Sequence, residues 1–207
     1  MPRLALLLAL LLTAGCTGSP DTRGPFPAGA DLVREAATSF ASVRSVHFAA
    51  GVNGVLPGFP LRQMEGDATL DDGGRATGTV DVQDDSTTGG HTKFPFDVRD
   101  GQKPPYPVNT FLGPRGGLKR LLDGVADAGT EGRENVDGAP ALRVAGRVPA
   151  AVAHSVLAVV DADLTVKVWV SDDGGPRRFA RLWVQIPPPD NHLSPVMIEL
   201  SLTKQQS

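Results

Sequence analysis

The sequence predicts an α+β domain in which helices pack on one face of a curved antiparallel sheet. Three observations predict it. Short segments alternate apolar and polar residues with period two, as in Val46/Phe48/Ala50/Val52 and Leu164/Val166/Val168/Val170. Turn signals separate such segments: Asp71-Asp72-Gly73-Gly74 and Asp172-Asp173-Gly174-Gly175 both suit backbone with positive φ. Three further segments carry apolar residues at helical spacing, which is enough to cover the apolar side of the sheet. The length of 207 residues fits one ordinary domain. A folded chain of this size buries roughly 70% of its unfolded surface, enough for one core.

Asp31 is expected to cap a first helix, with Leu32, Val33, Ala36, Ala37, Phe40 and Val43 on one face and Arg34, Glu35, Ser39 and Arg44 on the other. The period shifts to two at Ser45, and Val46, Phe48, Ala50 and Val52 form one side of a strand. Residues 55–60 (VLPGFP) turn the chain. Met64, Gly66, Ala68 and Leu70 then alternate with Gln63, Glu65, Asp67 and Thr69, and after the DDGG turn Ala76, Gly78, Val80 and Val82 return as a hairpin partner. Patterning is weakest over 83–115. Residues 83–92 read as polar loop, 94–98 as a short edge strand and 104–107 as irregular. A second helix is expected over 116–128, with Leu118, Leu121, Leu122 and Val125 on one face. A strand within 136–148 carries Leu142, Val144, Gly146 and Val148, and Pro149 opens a third helix reaching about Val159. Three strands complete the chain. Leu164 to Val170 leads into the second DDGG turn, Ala180, Leu182, Val184 and Ile186 return, and Pro187-Pro188-Pro189 ends that strand before Val196, Ile198, Leu200 and Leu202. The repeated DDGG hints at two similar halves, on a match of only four residues.

The N-terminus addresses the compartment. Met1-Pro2-Arg3 is a short positive region, and Leu4–Leu12 is an apolar run too short to span a ~30 Å hydrocarbon core. Leu12-Thr13-Ala14-Gly15-Cys16 resembles a bacterial lipobox, with Thr13 where Leu or Val is preferred. Small residues before the cysteine admit a signal peptidase, and the thiol is the nucleophile for thioether lipidation. The only cysteine of the chain stands at that position. Residues 1–15 are therefore expected to be a signal peptide, Cys16 the lipidated residue, 16–30 a Gly/Pro-rich tether, and 31–207 a single domain. A diacylglyceryl group carries two chains, which anchors stably where a single chain does not.

Composition excludes several classes. Net charge is −3 with no basic block, so the stripe that displaces counterions from nucleic acid is missing. One cysteine excludes an intramolecular disulfide framework and a cysteine-based zinc cluster. His47, His91, His154 and His192 are scattered without ligand spacing, and His47 takes the solvent-facing parity of its strand. The pairs Asp71/Asp72 and Asp172/Asp173 read as turn residues rather than acid–base or calcium groups, because each precedes Gly-Gly between strands. No GxSxG, GxGxxG or P-loop pattern occurs. The reading is of a protein without catalytic residues, metal or cofactor.

Three stretches resemble the LppX/LprA/LprF/LprG family of actinobacterial cell-envelope lipoproteins. LVREAATSFASVRSVHF (32–48) is similar to its opening helix and Ser-Val-His-Phe strand. FLGPRGGLKRLLDGVADA (111–128) is similar to its "DP..GL..LL" helix, with Gly113 in place of the usual Asp. Residues 131–170, from EGRENVDGAPALRVAGRVPA to LTVKVWV, match a G-x-V-P-A…V-W-V pattern. Residues 83–110 depart from it by looking shortened and proline-rich. The resemblance implies a half-barrel sheet wrapped over helices around a large apolar cavity. It implies binding of an acylated lipid or glycolipid there, carriage across the envelope, an envelope lipid transporter as partner, and a lipid-anchored place on the extracytoplasmic face of the cell membrane. Strand parity then offers Val80, Val82, Val144, Val168, Leu182, Val184, Ile198 and Leu200 as lining residues, faced by Leu118, Leu122 and Leu157 from the helices. Gly66, Ala68, Ala76 and Gly78 on the same parity are expected to leave volume unfilled. Trp169 and Trp183 fall on the opposite parity. An anchored sensor or scaffold binding another envelope protein is the alternative, and it needs an exposed apolar patch. A lipid hydrolase needs a nucleophile–base pair that the sequence does not display.

Overall fold

The computed structural model describes residues 24–70, 74–83, 90–99, 108–188 and 194–207. The expected signal peptide, Cys16, most of the expected tether, Asp71–Gly73, 104–107, Pro189 and His192 lie outside the described residues. The elements in chain order are α1 (Gly29–Phe40), β1 (Ser45–Asn53), β2 (Leu61–Thr69), β3 (Arg75–Gln83), β4 (His91–Arg99), α2 (Val108–Leu112), α3 (Gly117–Asp123), β5 (Ala126–Val136), β6 (Ala139–Val148), α4 (Ala150–Val156), β7 (Leu164–Ser171), β8 (Phe179–Ile186) and β9 (Val196–Gln206). The strands form one antiparallel sheet in the order β4-β3-β2-β1-β9-β8-β7-β6-β5. β4 and β5 are its edges and do not pair with each other, so the curved sheet stays open.

Alternation places the core on one face of this sheet. Reading across the register, Val144, Val168, Leu182, Leu200, Ala50, Met64, Val80 and Phe94 stand side by side in one row from β6 to β4. The helices lie over that row. α1 buries Leu32, Val33, Ala36, Ala37 and Phe40 against β5 to β8, and its Phe40 ring meets Phe179 at 6.3 Å between centroids, tilted by 60°.

Several expectations are corrected. Asp31 does not cap α1: the helix starts two residues earlier, after an extended Ala28 with no side-chain cap. Gly29 permits this start, because a Cβ there would lie 2.8 Å from the Ala128 carbonyl on β5. Asp31 sits in the first turn instead, where it pairs with Arg34 and complements the positive helix end. The second helix ends at Asp123, and residues 126–136 form strand β5 rather than a helical tail. The pairing of β5 with β6 shifts register twice, at Ala126/Gly129 and Thr130/Gly132. The third helix stops at Val156, with Pro149 as its extended N-cap. β4 runs from His91, so part of the expected loop is strand, and α2 lies in a stretch where no helix is expected.

The glycines of the first hairpin do not leave space. Gly66 and Gly78 oppose each other, and an added Cβ would lie 2.1 Å from Thr77 O or 2.0 Å from Glu65 O. The neighbouring strand's backbone fills the volume that the missing side chains release. Gly66→Ala is therefore expected to destabilise the domain by about 1–3 kcal/mol, as overpacking does. Gly129→Ala, with nothing within 4 Å of its added Cβ, is the neutral control. Urea unfolding of the two variants separates these outcomes.

Candidate functional site

Between the helices and the middle of the inner row lies an apolar cleft of about 220 Å³. Its floor is Phe48 and Ala50 of β1, Leu61 and Met64 of β2, Leu164 of β7, Leu182, Val184 and Ile186 of β8, and Ile198 and Leu200 of β9. Its walls are Val108, Phe111 and Leu112 of α2, Leu121 of α3, Ala153 and Val156 of α4, and Phe59, Leu157 and Val160 from the loops. No lining side chain carries a charge. Such a surface gains from taking up apolar groups, at about 25 cal/mol per Å² removed from water, and offers no acid, base or nucleophile.

Five of the sequence-derived lining residues meet here: Leu157, Leu182, Val184, Ile198 and Leu200. Six do not. Val144 and Val168 share the inner row but are fully buried at the end covered by α1, and Leu118 and Leu122 are buried within the helical layer. Val80 is sealed at the other end, where α2 packs on β2 and β3, and half-buried Val82 packs against the core without reaching the cleft. Parity identifies the face of the sheet. It does not say which part of that face the helices cover. The residues that parity missed, Phe59, Val108 and Phe111 among them, come from loops and from α2, where the sequence has little periodicity. The cleft is also smaller than the large cavity the resemblance implies, because α1 packs on β5 to β8 at one end of the inner face and α2 on β2 and β3 at the other.

Loop 54–60, which supplies Phe59, meets the α4–β7 loop, for a Cβ on Gly58 would lie 3.3 Å from Val159. Val55 and Val159 in these loops are exposed by 66% and 44%. The N-terminal segment approaches from elsewhere. It runs along β5, with Thr130 Oγ1 donating to Pro27 O at 2.7 Å and Arg133 donating to Gly24 O at 3.4 Å. Arg133 also bonds Asp172 at 3.2 Å, and Asp172 accepts from Arg177 at 2.7 Å. Asp173 accepts from the Gly175 N–H and pairs with Arg178, which together hold its carboxyl below its ordinary value. The second acidic pair thus braces its own turn, and Asp172 also ties that turn to Arg133 of β5. Each histidine among the described residues has a ring nitrogen close to one aspartate carboxylate: His47 to Asp67 at 2.9 Å, His91 to Asp81 at 2.9 Å and His154 to Asp161 at 2.7 Å. Among the described residues no group of three side chains could hold a metal ion. Both tryptophans lie on the outer face, Trp169 donating to Glu134 at 2.8 Å.

An open half-barrel with helices and an apolar cleft on its inner face defines the class of fold. The family model described as LppX_LprAFG lipoprotein matches residues 28–103 and 97–206. The lipoarabinomannan carrier protein LprG of Mycolicibacterium smegmatis is 30% identical over 186 residues, covering 81% of this chain and 79% of the relative. The protein of that name from Mycobacterium tuberculosis is 30% identical over 189 residues, covering 82% and 78%. Among solved structures, LprF from Mycobacterium bovis superposes with a TM-score of 0.67 at 19% identity, over 86% of this chain and 92% of its own. LppX from Mycobacterium tuberculosis gives 0.60 at 18%, over 85% and 93%. This chain belongs to the LppX_LprAFG lipoprotein family. No helix among the described residues is long and apolar enough to cross a membrane.

Proposed function

We propose that the protein is a lipid-anchored carrier that binds an acylated lipid or glycolipid through the inner-face cleft and moves it across the cell envelope. The observation that carries this reading is a cleft lined only by apolar side chains, in a chain 30% identical to a lipoarabinomannan carrier. Binding then rests on acyl burial, without bond chemistry, and leaves a polar head group outside. At about 220 Å³ the cleft lies below the ~300–1,000 Å³ of typical ligand pockets, so it holds part of one chain. A whole diacyl lipid requires α2 and α4, the five- and seven-residue helices of its walls, to swing outward. Cys16 carries the anchor on the extracytoplasmic face of the membrane, and an envelope lipid transporter is the natural donor or acceptor.

Mass spectrometry of organic extracts of the purified full-length protein tests this reading. A stoichiometric acylated lipid is the expected result. Folded protein that is lipid-free and takes up neither phospholipid nor glycolipid from vesicles overturns it. In the same preparation Cys16→Ala is expected to lose the diacylglyceryl mass and to leave the membrane fraction.

A further inference from the structure

The inner cleft has a counterpart on the opposite side of the sheet. A polar groove of about 500 Å³ crosses the outer face of β1 to β4, β8 and β9. Its axis is a row of residues in register across six adjacent strands: Lys93, Asp81, Gln63, Gly51, Glu199 and Trp183. At ~4.8 Å between strands this row spans about 24 Å. It is tall at both ends and low at its centre, where β1 contributes Gly51 and, in the next row, Ala49.

Gly51 has no backbone reason to be glycine. Its φ is not positive, and an added Cβ would meet only Arg62 O, at 4.0 Å. Gly66 and Gly78, by contrast, are enforced by backbone contact. A glycine in mid-strand weakens a sheet and often marks a place where something approaches closely. Here its effect is to keep the floor of the groove open.

The lining chemistry selects the occupant. Glu199, 3.4 Å from Arg181, and Asp81, already 2.9 Å from His91, each keep one further carboxylate oxygen to accept with; the Gln63 amide accepts and donates, and Lys93 and Arg62 donate. Among the described residues Arg62, Gln63 and Lys93 have no side-chain hydrogen bond or ion pair, so their capacity is unspent. Trp183 adds a flat apolar ring at one end, with Lys167 Nζ 6.0 Å from its centroid. Interspersed charges of both signs suit neither a phosphate-rich polymer nor an acyl chain. They suit a neutral, hydroxyl-rich ligand whose C–H face lies on the indole.

We infer that this outer groove is a glycan-binding site, set back to back with the apolar cleft. Ala50 and Met64 border both sites. Arg62 and Met197 of the groove adjoin Leu61 and Ile198 of the cleft at the same end of the sheet. A glycolipid with its chain in the cleft reaches the groove by bending around those strand ends. The inference rests on the carrier reading only for the source of the glycan.

The test titrates the full-length protein with deacylated arabinomannan, a chain-free soluble glycan, by calorimetry. Trp183 fluorescence in a Trp169→Phe background reports the same event. Saturable binding is expected, weakened at least about tenfold by Gly51→Val, whose side chain suits a strand and fills the groove. Gln63→Ala removes an exposed, unpartnered side chain and is expected to weaken binding with folding unchanged. Acylated lipid in organic extracts of both variants should remain at the wild-type level. Absence of saturable glycan binding, or equal affinity in wild type, Gly51→Val and Gln63→Ala, overturns the inference. An empty cleft beside intact glycan binding supports the groove and overturns the carrier reading instead.

Discussion

Ile198→Trp is expected to empty the cleft while leaving the domain folded. Ile198 is half-buried on β9, stands opposite Val184 in register, and faces the open volume rather than close-packed neighbours. An indole at this position enters about 220 Å³ of vacant space, so it displaces ligand without forcing the backbone apart. Co-purifying acylated lipid should fall at least about tenfold. The melting temperature should move by no more than ~2–4 °C, the equivalent of roughly 1 kcal/mol for a domain of this size. Val144→Trp is the contrasting variant. Val144 is fully buried beside Val168 under the helical layer, where extra volume has nowhere to go. Overpacking there costs about 1–3 kcal/mol or more, and any loss of lipid follows loss of fold. Mass spectrometry of extracts together with thermal melts distinguishes the two. Undiminished lipid in folded Ile198→Trp would place the binding site elsewhere.

Phe40→Ala is expected to cost the most stability, about 3–5 kcal/mol. Its ring closes the C-terminal end of α1 onto Phe179 at the start of β8, and both residues are essentially inaccessible to water. Truncation opens a cavity between the helix and the centre of the sheet. That is a large share of the ~5–15 kcal/mol that holds an ordinary domain together. Phe179→Ala should cost a similar amount. The double variant should lose less than the sum, by the ~0.5–1.5 kcal/mol such ring pairs contribute beyond burial. Guanidinium unfolding of the three variants measures this, and a loss below 1 kcal/mol for Phe40→Ala would contradict the packing described.

Strands buried on one face are legible in the sequence: β2, β7 and β8 alternate over most of their length, and the first half of β1 does too, because one side meets the core and the other meets water. The edge strand β5 is not. Its inner parity is marked only by the small residues Ala126, Ala128 and Thr130, so the alternation is there without the apolar contrast that would reveal it. Gly66 and Gly78 were misread because sequence shows that a side chain is missing but not what occupies its place. The cleft was half legible for a related reason. Leu182, Val184, Ile198 and Leu200 follow from parity, whereas Val144, Val168 and Val80 have the same parity and differ only in which helix covers them. The polar row on the outer face escaped altogether, since Lys93, Gln63, Gly51 and Glu199 come from four separate strands and only the register brings them together.

The meeting of β1 with β9 sets the order in which the chain can assemble. β1 to β4 pair only with sequence neighbours apart from that one junction, and so do β5 to β9. Each meander can therefore form from short loops, while the β1–β9 seam joins residues such as Phe48 and Leu202 across most of the chain. Closing so long a loop is entropically unfavourable before its contacts form, and it slows folding. Synthesis adds a second constraint, for the strand that completes the seam is made after the other eight strands of the sheet. Until residues 196–206 arrive, the first meander carries one unpaired edge of β1 and half of the cleft floor uncovered. The cleft is thus completed after the rest of the sheet, in the same step that makes the two halves one sheet.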